Sequence, residues 1–262
     1  GTNEVPVVTV LPATSTPVVE GVSDTQALLA AGQLTVVDAD LHDTVSFAVD
    51  SLSVDGTFAG KASFSAEQLG SFKSMLAVTN AVQQADPTSG STVAWNFQSG
   101  SAGVGAFSFL GKDETLVLNY VVKATDSTGA VTPSTVSVTI TGTNDVPVIT
   151  GTAQASLTEP VLGATGVTQS LQASGTLTVA DADATDTVSV SVASVQATAA
   201  QFDVLSSETK GYVTANLAQF KQMLTLSNAT SVNADEAGGG STFGWSFDAG
   251  PGAFSFLAKN EV

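Results

Sequence analysis

The chain has 262 residues, of which 43 % are hydrophobic and 12 % are charged, and it contains no cysteine. Its 24 acidic residues outnumber 7 basic ones, and the net charge of −17 argues against binding to nucleic acid or anionic membranes. The missing thiols exclude disulfides and thiolate metal sites, and no apolar run is long enough to span a bilayer. No signal peptide is visible, so we expect a piece of a longer exported protein.

The sequence repeats itself once. The recurring blocks, in chain order, are GTNEVPVVT and GTNDVPVIT, LTVVDADLHDTVSF and LTVADADATDTVSV, FKSMLAVTNA and FKQMLTLSNA, GSTVAWNF and GSTFGWSF, and AFSFLGKDE and AFSFLAKNE. We therefore predict a complete repeat over residues 1–141 and a second copy over residues 142–262. The second copy lacks the strands that close the first one, either because the observed chain is incomplete or because a partner chain supplies them, and we favour an incomplete chain.

Apolar and polar residues alternate with period two along the first copy. The apolar sets are Leu34 and Val36; Val45, Phe47 and Val49; Val93, Trp95 and Phe97; Leu116, Leu118, Tyr120 and Val122; and Val136, Val138 and Ile140. Phe243, Trp245 and Phe247 repeat one of these sets in the second copy. Many short alternating segments predict an all-β fold built of sandwich domains. The aromatic residues are interpreted as core rather than as a platform for sugar stacking.

One segment in each copy has helical spacing instead. The positions are Leu69, Phe72 and Leu76 in the first copy and Leu217, Phe220 and Leu224 in the second. Ser65 and Gln68 fit a capping box at the start of the first of these segments. We predict a short helix inserted between the strands of each copy.

Acidic residues follow a predicted strand in both copies as D-A-D-x-x-D. They are Asp38, Asp40 and Asp43 in the first copy and Asp181, Asp183 and Asp186 in the second. Carboxylates two residues apart at a strand end project to one side and can bind one hard cation such as calcium. The loop is not an EF-hand, because Val49 stands where a bidentate Glu is needed. A plain turn remains the alternative, since Asp and Asn are common turn residues.

Residues 120–149, with YVVKATDSTG followed by STVSVTITGTNDVPVI, resemble the end of a cadherin domain. Asp126 matches the Asp of the cadherin strand, and Asn144, Asp145 and Pro147 match its calcium linker. The combination of L-T-V-x-D-x-D with T-I-T-G-T-N-D-x-P-V-I is similar to VCBS repeats and bacterial cadherin-like repeats. These repeats belong to large RTX-type adhesins that type I secretion exports.

The resemblance implies tandem immunoglobulin/cadherin-like β-sandwich domains, each with a short inserted helix, and calcium at the junctions between them. By analogy, the ligands at the junction are Asn144, Asp145, Asp181, Asp183, Asp113, Glu114 and Glu20. The equivalent site at the front of the first copy comprises Asn3, Glu4, Asp38, Asp40 and Asp126. Glu159 is the counterpart of Glu20 in the second copy.

The resemblance also implies a function outside the cell, on the bacterial surface. We expect a monomeric structural extender in an adhesin, stiffened by calcium and supporting cell adhesion or biofilm formation, with neighbouring repeats of the same chain as its partners. The alternative is a calcium-dependent glycan-binding module, with any cell-surface ligand reached through other domains. We expect no enzyme, because no G-x-S-x-G motif or phosphate-binding glycine loop is present. The single histidine, His42, is interpreted as a surface loop residue.

Overall fold

The computed structural model describes residues 2–13, 18–21, 26–58, 63–79, 81–84, 86–100, 105–159, 169–197, 205–229, 232–233 and 240–257. Contacts divide the chain into two compact units. Unit 1 comprises Gly1–Val146 and Ala182–Thr185, and unit 2 comprises Pro147–Asp181 and Asp186–Val262. The protein is mostly β, as the alternating sequence predicts.

The described residues of unit 1 form two sheets and one helix. In chain order its elements are β1 (Val7–Val10), β2 (Val18–Val19), β3 (Leu29–Val37), β4 (Thr44–Thr57), α1 (Ala66–Ser74), β5 (Leu76–Thr79), β6 (Val82–Gln84), β7 (Ser91–Gln98), β8 (Thr115–Asp126) and β9 (Val131–Thr141). One sheet has the strand order β1-β3-β7-β5 and the other β2-β9-β8-β4-β6. Neighbouring strands are antiparallel except β2 and β9, which are parallel.

The core of unit 1 is drawn from both sheets. Leu34 and Trp95 of the first sheet and Leu118 and Tyr120 of the second belong to one cluster of buried side chains, each at most 1 % exposed. The phenyl ring of Phe97 lies 6.4 Å from the ring of Tyr120, between centroids. Because side chains alternate across a strand, each sheet turns its apolar face to this core and its polar face outward, as predicted.

The described residues of unit 2 form fewer strands than those of unit 1. In chain order its elements are β10 (Val148–Thr150), β11 (Ser170–Ala180), β12 (Thr187–Val188), α2 (Ser207–Ala215), α3 (Leu217–Gln222), β13 (Leu224–Ser227), β14 (Val232–Asn233) and β15 (Ser241–Pro251). One sheet has the order β10-β11-β15-β13, which repeats the first sheet of unit 1, and β12 pairs with β14 in a second sheet. The described residues of its core cluster are Val179, Val188 and Phe243.

The predicted helix of the first copy is present as α1. The Ser65 hydroxyl accepts a hydrogen bond from the Gln68 N–H, and the Gln68 side chain accepts one from the Ser65 N–H, which confirms the capping box. The prediction that Leu76 lies on the helix is wrong. The helix ends at Ser74, and Leu76 begins β5, where it pairs with Phe97.

The second copy shows the same boundary one repeat later. Leu217 and Phe220 lie on α3, whereas Leu224 begins β13, so its assignment to the helix is also wrong. The sequence did not predict α2, which precedes α3 and has Ser206 as its N-cap. Among the described residues, no helix has the length and apolar character needed to cross a membrane.

Candidate metal centre

The D-A-D-x-x-D sequence of the first copy forms a tight loop between β3 and β4. Asp38 directly follows β3, and its Oδ1 accepts a hydrogen bond of 2.9 Å from the Asp40 N–H. The Asp43 N–H donates to the Asp40 carbonyl at 2.9 Å, just before β4 begins at Thr44. These short-range bonds are typical of Asp-rich turns, and they turn the three side chains towards one another.

Three carboxylates meet in this loop. One oxygen from each of Asp38, Asp40 and Asp43 lies within 4.8 Å of the other two. Asp38 is only 1 % exposed. Its Oδ2 and the Oδ2 of Asp43 are both buried, and neither has a hydrogen-bond partner among the described residues. Buried carboxylate oxygens are normally hydrogen-bonded or bound to a cation, so this arrangement can hold a metal ion.

The N-terminal segment of unit 1 lies beside this loop. The Glu4 N–H donates to the Asp40 Oδ2 at 2.8 Å, and the Asn3 side-chain amide donates to the Asp126 Oδ2 at 2.9 Å. The Glu4 carboxylate is exposed and accepts a hydrogen bond from the Thr2 hydroxyl. Of the predicted front site, Glu4 therefore contributes its backbone to the loop rather than its side chain.

Asp126 holds the end of β8 in place. Its Oδ1 accepts hydrogen bonds from the Thr128 N–H, the Thr128 hydroxyl and the Ala130 N–H, at 2.8 to 2.9 Å. The hydrogen bond from Asn3, followed by the bonds from Ala130 and Thr128, lowers the pKa of Asp126 to about 2, against the opposing effect of burial. With both oxygens engaged, Asp126 fixes the β8–β9 turn and positions Asn3 next to the loop.

The donor set of the loop suits a hard cation. Calcium binds carboxylate and carbonyl oxygens at 2.3–2.6 Å, so two of its ligands are at most about 5.2 Å apart. The 4.8 Å limit among the three carboxylates satisfies that condition. Zinc prefers nitrogen and sulfur ligands. The chain has no cysteine, and its one histidine, His42, is exposed in the turn, which confirms the interpretation of His42 as a surface residue.

Three of the acids predicted by analogy lie near the other end of β9. The Glu20 side chain is buried, and its N–H donates to the Thr141 carbonyl at 2.9 Å. The Glu114 Oε2 accepts a hydrogen bond of 3.0 Å from the Gly111 N–H. Asp113 is exposed and has a left-handed backbone with φ of 66°. The K-D-E element therefore forms a turn that precedes β8. Of its three residues, only Glu114 is partly buried.

The G-T-N-D segment follows β9 directly. The Asp145 N–H donates to the Asp183 Oδ2 at 2.8 Å, and both residues are buried parts of unit 1. This bond repeats the one between the Glu4 N–H and Asp40, at the same distance. Asn144 donates its side-chain amide to the Asp145 carbonyl. The equivalence of the two blocks, predicted from sequence, thus extends to a hydrogen bond.

Only some of the residues predicted as metal ligands lie in the three-carboxylate cluster. Asp38 and Asp40 lie in the three-carboxylate cluster, which also includes Asp43, a member of the D-A-D-x-x-D pattern that was not assigned as a ligand. Asp181 belongs to unit 2 and is buried. Over the residues that the structure describes, the loop at residues 38–43 alone meets the 4.8 Å condition. The seven residues assigned by analogy to the junction stay a prediction.

No protein-family model matches this chain, and no curated protein sequence matches it. The fold and the site define a mostly β protein with two compact units and, among the described residues, one carboxylate cluster that can hold a metal ion.

Proposed function

We propose that the chain is a calcium-binding structural segment of an extracellular bacterial adhesin, built of tandem immunoglobulin/cadherin-like β-sandwich repeats. The observation that carries this proposal is the loop at residues 38–43. Its three carboxylates converge, and the buried Oδ2 atoms of Asp38 and Asp43 have no hydrogen-bond partner among the described residues. A bound cation would compensate the repulsion between these charges.

Calcium is the proposed ion because the site is made of oxygens and carries up to three negative charges. Calcium accepts six to eight oxygen ligands in flexible geometry, whereas magnesium requires a nearly ideal octahedron at shorter distances. Extracellular calcium modules have dissociation constants of about 10⁻⁴–10⁻³ M for calcium. We expect an affinity in this range for a site outside the cell.

The affinity for calcium tests the site directly. In isothermal titration calorimetry on chelator-treated protein, we expect saturable calcium binding. Asp38→Asn and Asp43→Asn should each weaken it by about tenfold or more, because each removes a charged ligand. Asp55→Asn is the matched control, since it removes one exposed charge from β4 of the same unit and should leave the affinity unchanged. Equal affinities of all four proteins, or no binding at all, would contradict the proposed site.

Calcium should also stabilise unit 1, since a ligand that binds only the folded state adds stability. At a calcium concentration of about 100 times Kd, the gain is about 2.7 kcal/mol. We expect the melting temperature to fall when a chelator is added and to recover with excess calcium. An unchanged melting temperature in protein that binds calcium would show that the site is not coupled to folding.

The role as an extender rests on the sequence repeat. Similar repeats in tandem suit a stalk that spaces a distal binding domain from the cell, and calcium at the start of each repeat would restrict its motion relative to its neighbour. Small-angle scattering tests this role, because the maximum dimension should increase when calcium is added to chelator-treated protein. The glycan-binding alternative has less support, since Trp95 and Phe97 are 1 % exposed and cannot stack on a sugar.

A further inference from the structure

The segment that precedes β1 lies beside the loop at residues 38–43. Residues 3–6, which we call the strap, form no helix or strand, and β1 begins directly after them at Val7. Val7 pairs with Val37, the residue immediately before Asp38. The pairing of β1 with β3 therefore brings the strap to the loop.

The strap contacts the loop through a backbone donor. The Glu4 N–H donates to the Asp40 Oδ2 at 2.8 Å. The bond from the Asp40 N–H to the Asp38 Oδ1 lies within the loop, whereas the bond from Glu4 holds the Asp40 carboxylate from outside it. A carboxylate that accepts a hydrogen bond from a fixed donor keeps its orientation, and its second oxygen can face a cation. The Glu4 N–H is therefore in a position to orient Asp40.

The strap is anchored on both sides of Glu4. The Asn3 side-chain amide donates to the Asp126 Oδ2 at 2.9 Å, and the Thr132 hydroxyl donates to the Pro6 carbonyl at 2.6 Å. Asp126 and Pro6 are both buried, and the proline ring restricts the backbone at this end of the strap. Glu4 thus lies between two fixed points, which hold its N–H in place.

The same backbone bond occurs a second time in unit 1. The Asp145 N–H donates to the Asp183 Oδ2 at 2.8 Å, and both residues belong to that unit. In the repeated blocks, Asp145 corresponds to Glu4 and Asp183 corresponds to Asp40. The side chain at the donor position changes from Glu to Asp, whereas the bond made by its N–H is the same. The recurrence indicates that the backbone donor is the shared feature of the two blocks.

We propose that the strap sets the calcium affinity of the loop at residues 38–43. The Glu4 N–H fixes the Asp40 carboxylate, and Asn3 is a positioning residue that keeps Glu4 in place. The inference rests on the proposed calcium site, where Asp38 is 1 % exposed and its Oδ2 has no hydrogen-bond partner among the described residues. It adds to that site a control by a segment 36 positions away from Asp40.

The strap acts by preorganising the ligands. The carboxylates of Asp38, Asp40 and Asp43 lie within 4.8 Å of one another, so their negative charges repel. This repulsion favours rotation of the Asp40 side chain away from the other two, and the Glu4 N–H opposes that rotation. Less of the binding free energy is then needed to gather the ligands. By reciprocity, calcium must stabilise the strap in the position that favours calcium binding.

Two variants at one position separate the backbone of the strap from its side chain. The calcium affinity is read from the amide signals of Asp40 and Asp43 in an NMR titration of the full chain. Glu4→Pro removes the N–H donor and should weaken calcium binding by about tenfold. Glu4→Gln keeps the donor and removes an exposed, screened charge, so it should weaken binding by about twofold or less. Equal losses in the two variants would identify the Glu4 carboxylate as a ligand and overturn the proposal.

A third variant tests the anchor of the strap without changing any atom that touches the loop. Asn3→Ala removes the bond to Asp126 and should weaken calcium binding by about threefold to tenfold. Thr2→Val is the matched control, since it removes only an exposed bond to the Glu4 carboxylate and should bind calcium like the unaltered chain. Amide exchange gives the reciprocal signature, which a merely structural role would not produce. Exchange of the Glu4 amide should slow at least about threefold when calcium saturates the unaltered chain.

The outcomes separate the strap from the calcium site itself. Unchanged affinity in both Glu4→Pro and Asn3→Ala would overturn the role of the strap and leave the calcium site in place. Calcium saturation that leaves exchange of the Glu4 amide unchanged would do the same. Absence of calcium binding by the unaltered chain, or unchanged binding by Asp38→Asn, would contradict the proposed function and the strap together.

Discussion

The two units contain the same packing motif in different surroundings. In unit 1, Gly32 pairs with Trp95, and a Cβ at this glycine would lie 2.4 Å from the indole ring. In unit 2, Gly175 pairs with Trp245, and a Cβ there would lie 2.8 Å from it. The local device is therefore repeated, with glycine leaving room for the indole across the neighbouring strand. Yet Trp95 is 1 % exposed and Trp245 is half-buried.

This difference shows that burial in this protein is decided by the second sheet. The pairing of β11 with β15 matches that of β3 with β7, so the local sequence suffices for the first sheet. The extra coverage in unit 1 comes from β8 and β9. A domain requires two packed layers to bury an apolar sheet face, and unit 2 has only part of its second layer among the described residues.

Removing the two indoles gives the largest expected effect. Trp95→Ala should lower the free energy of unfolding by about 3–5 kcal/mol, because it leaves a large cavity in a closed core. Trp245→Ala should cost less, because its side chain is partly exposed and its removal leaves a cavity that solvent can reach. Chemical denaturation followed by circular dichroism measures both. Equal losses of unfolding free energy in the two variants would contradict the difference in burial and show that Trp245 is as well packed as Trp95.

The next largest loss of stability is expected when the hydrogen bond between α1 and the sheet that contains β8 is removed. The Tyr120 hydroxyl of β8 donates to the Phe72 carbonyl at the end of α1, at 2.8 Å, in a buried position. Burial raises the pKa of this phenol, which therefore stays protonated and able to donate. Tyr120→Phe should cost unit 1 about 1–2 kcal/mol. The control Tyr212→Phe, at an exposed position of α2, should cost almost nothing in the same denaturation experiment.

The helix caps offer a matched pair with similar expected effects. Ser65 caps α1, and Ser206 caps α2 by accepting a hydrogen bond from the Thr209 N–H. Replacing either serine by alanine should cost about 1 kcal/mol. Amide exchange in the first turn of each helix reports the two effects separately. A loss confined to Ser65→Ala would show that the helices of unit 2 depend less on their caps than expected.

The smallest expected effect is the loss of stability at low pH that results from protonation of Asp126. Asp126 has its pKa lowered to about 2 in the folded state, from about 3.9 in an unfolded chain. Its contribution to stability is therefore complete above pH of about 4 and is lost as the pH falls towards 2. Asn3→Ala removes the largest cause, so the pKa of Asp126 should rise in an NMR titration. An unchanged pKa would show that the Thr128 and Ala130 bonds suffice.

The sequence predicts those features of the fold that depend on neighbours along the chain. Alternation identified the buried faces of β3, β7, β8 and β9, and the capping box located the start of α1. Long-range pairing was not predictable in the same way. Leu76 has helical spacing but joins β5 because Phe97 lies opposite it. Val192 has strand spacing but lies in no strand, because no strand pairs with it among the described residues.

The same distinction applies to the candidate site: features that depend on local spacing were predictable, and those that depend on distant contacts were not. The spacing of Asp38 and Asp40 indicated a cation-binding loop, because residues two positions apart at a strand end share a side. The inclusion of Asp43 follows from the turn in which its N–H bonds to the Asp40 carbonyl. The contacts of Ala182–Thr185 within unit 1 include bonds from the Asp145 N–H to Asp183, 38 positions later, and from the Ala184 N–H to the Phe109 carbonyl. Such distant contacts leave no periodic signal in a sequence.

The central claim, that the loop at residues 38–43 binds calcium, is tested most directly by NMR. In a calcium titration of ¹⁵N-labelled protein, we expect the amide signals of Asp40 and Asp43 to shift saturably, while those of the exposed turn at Asp86 stay in place. Asp38→Asn should abolish or greatly weaken the shifts. Signals of Asp40 and Asp43 that do not change at millimolar calcium, in protein with the dispersed spectrum of a folded chain, would contradict the account.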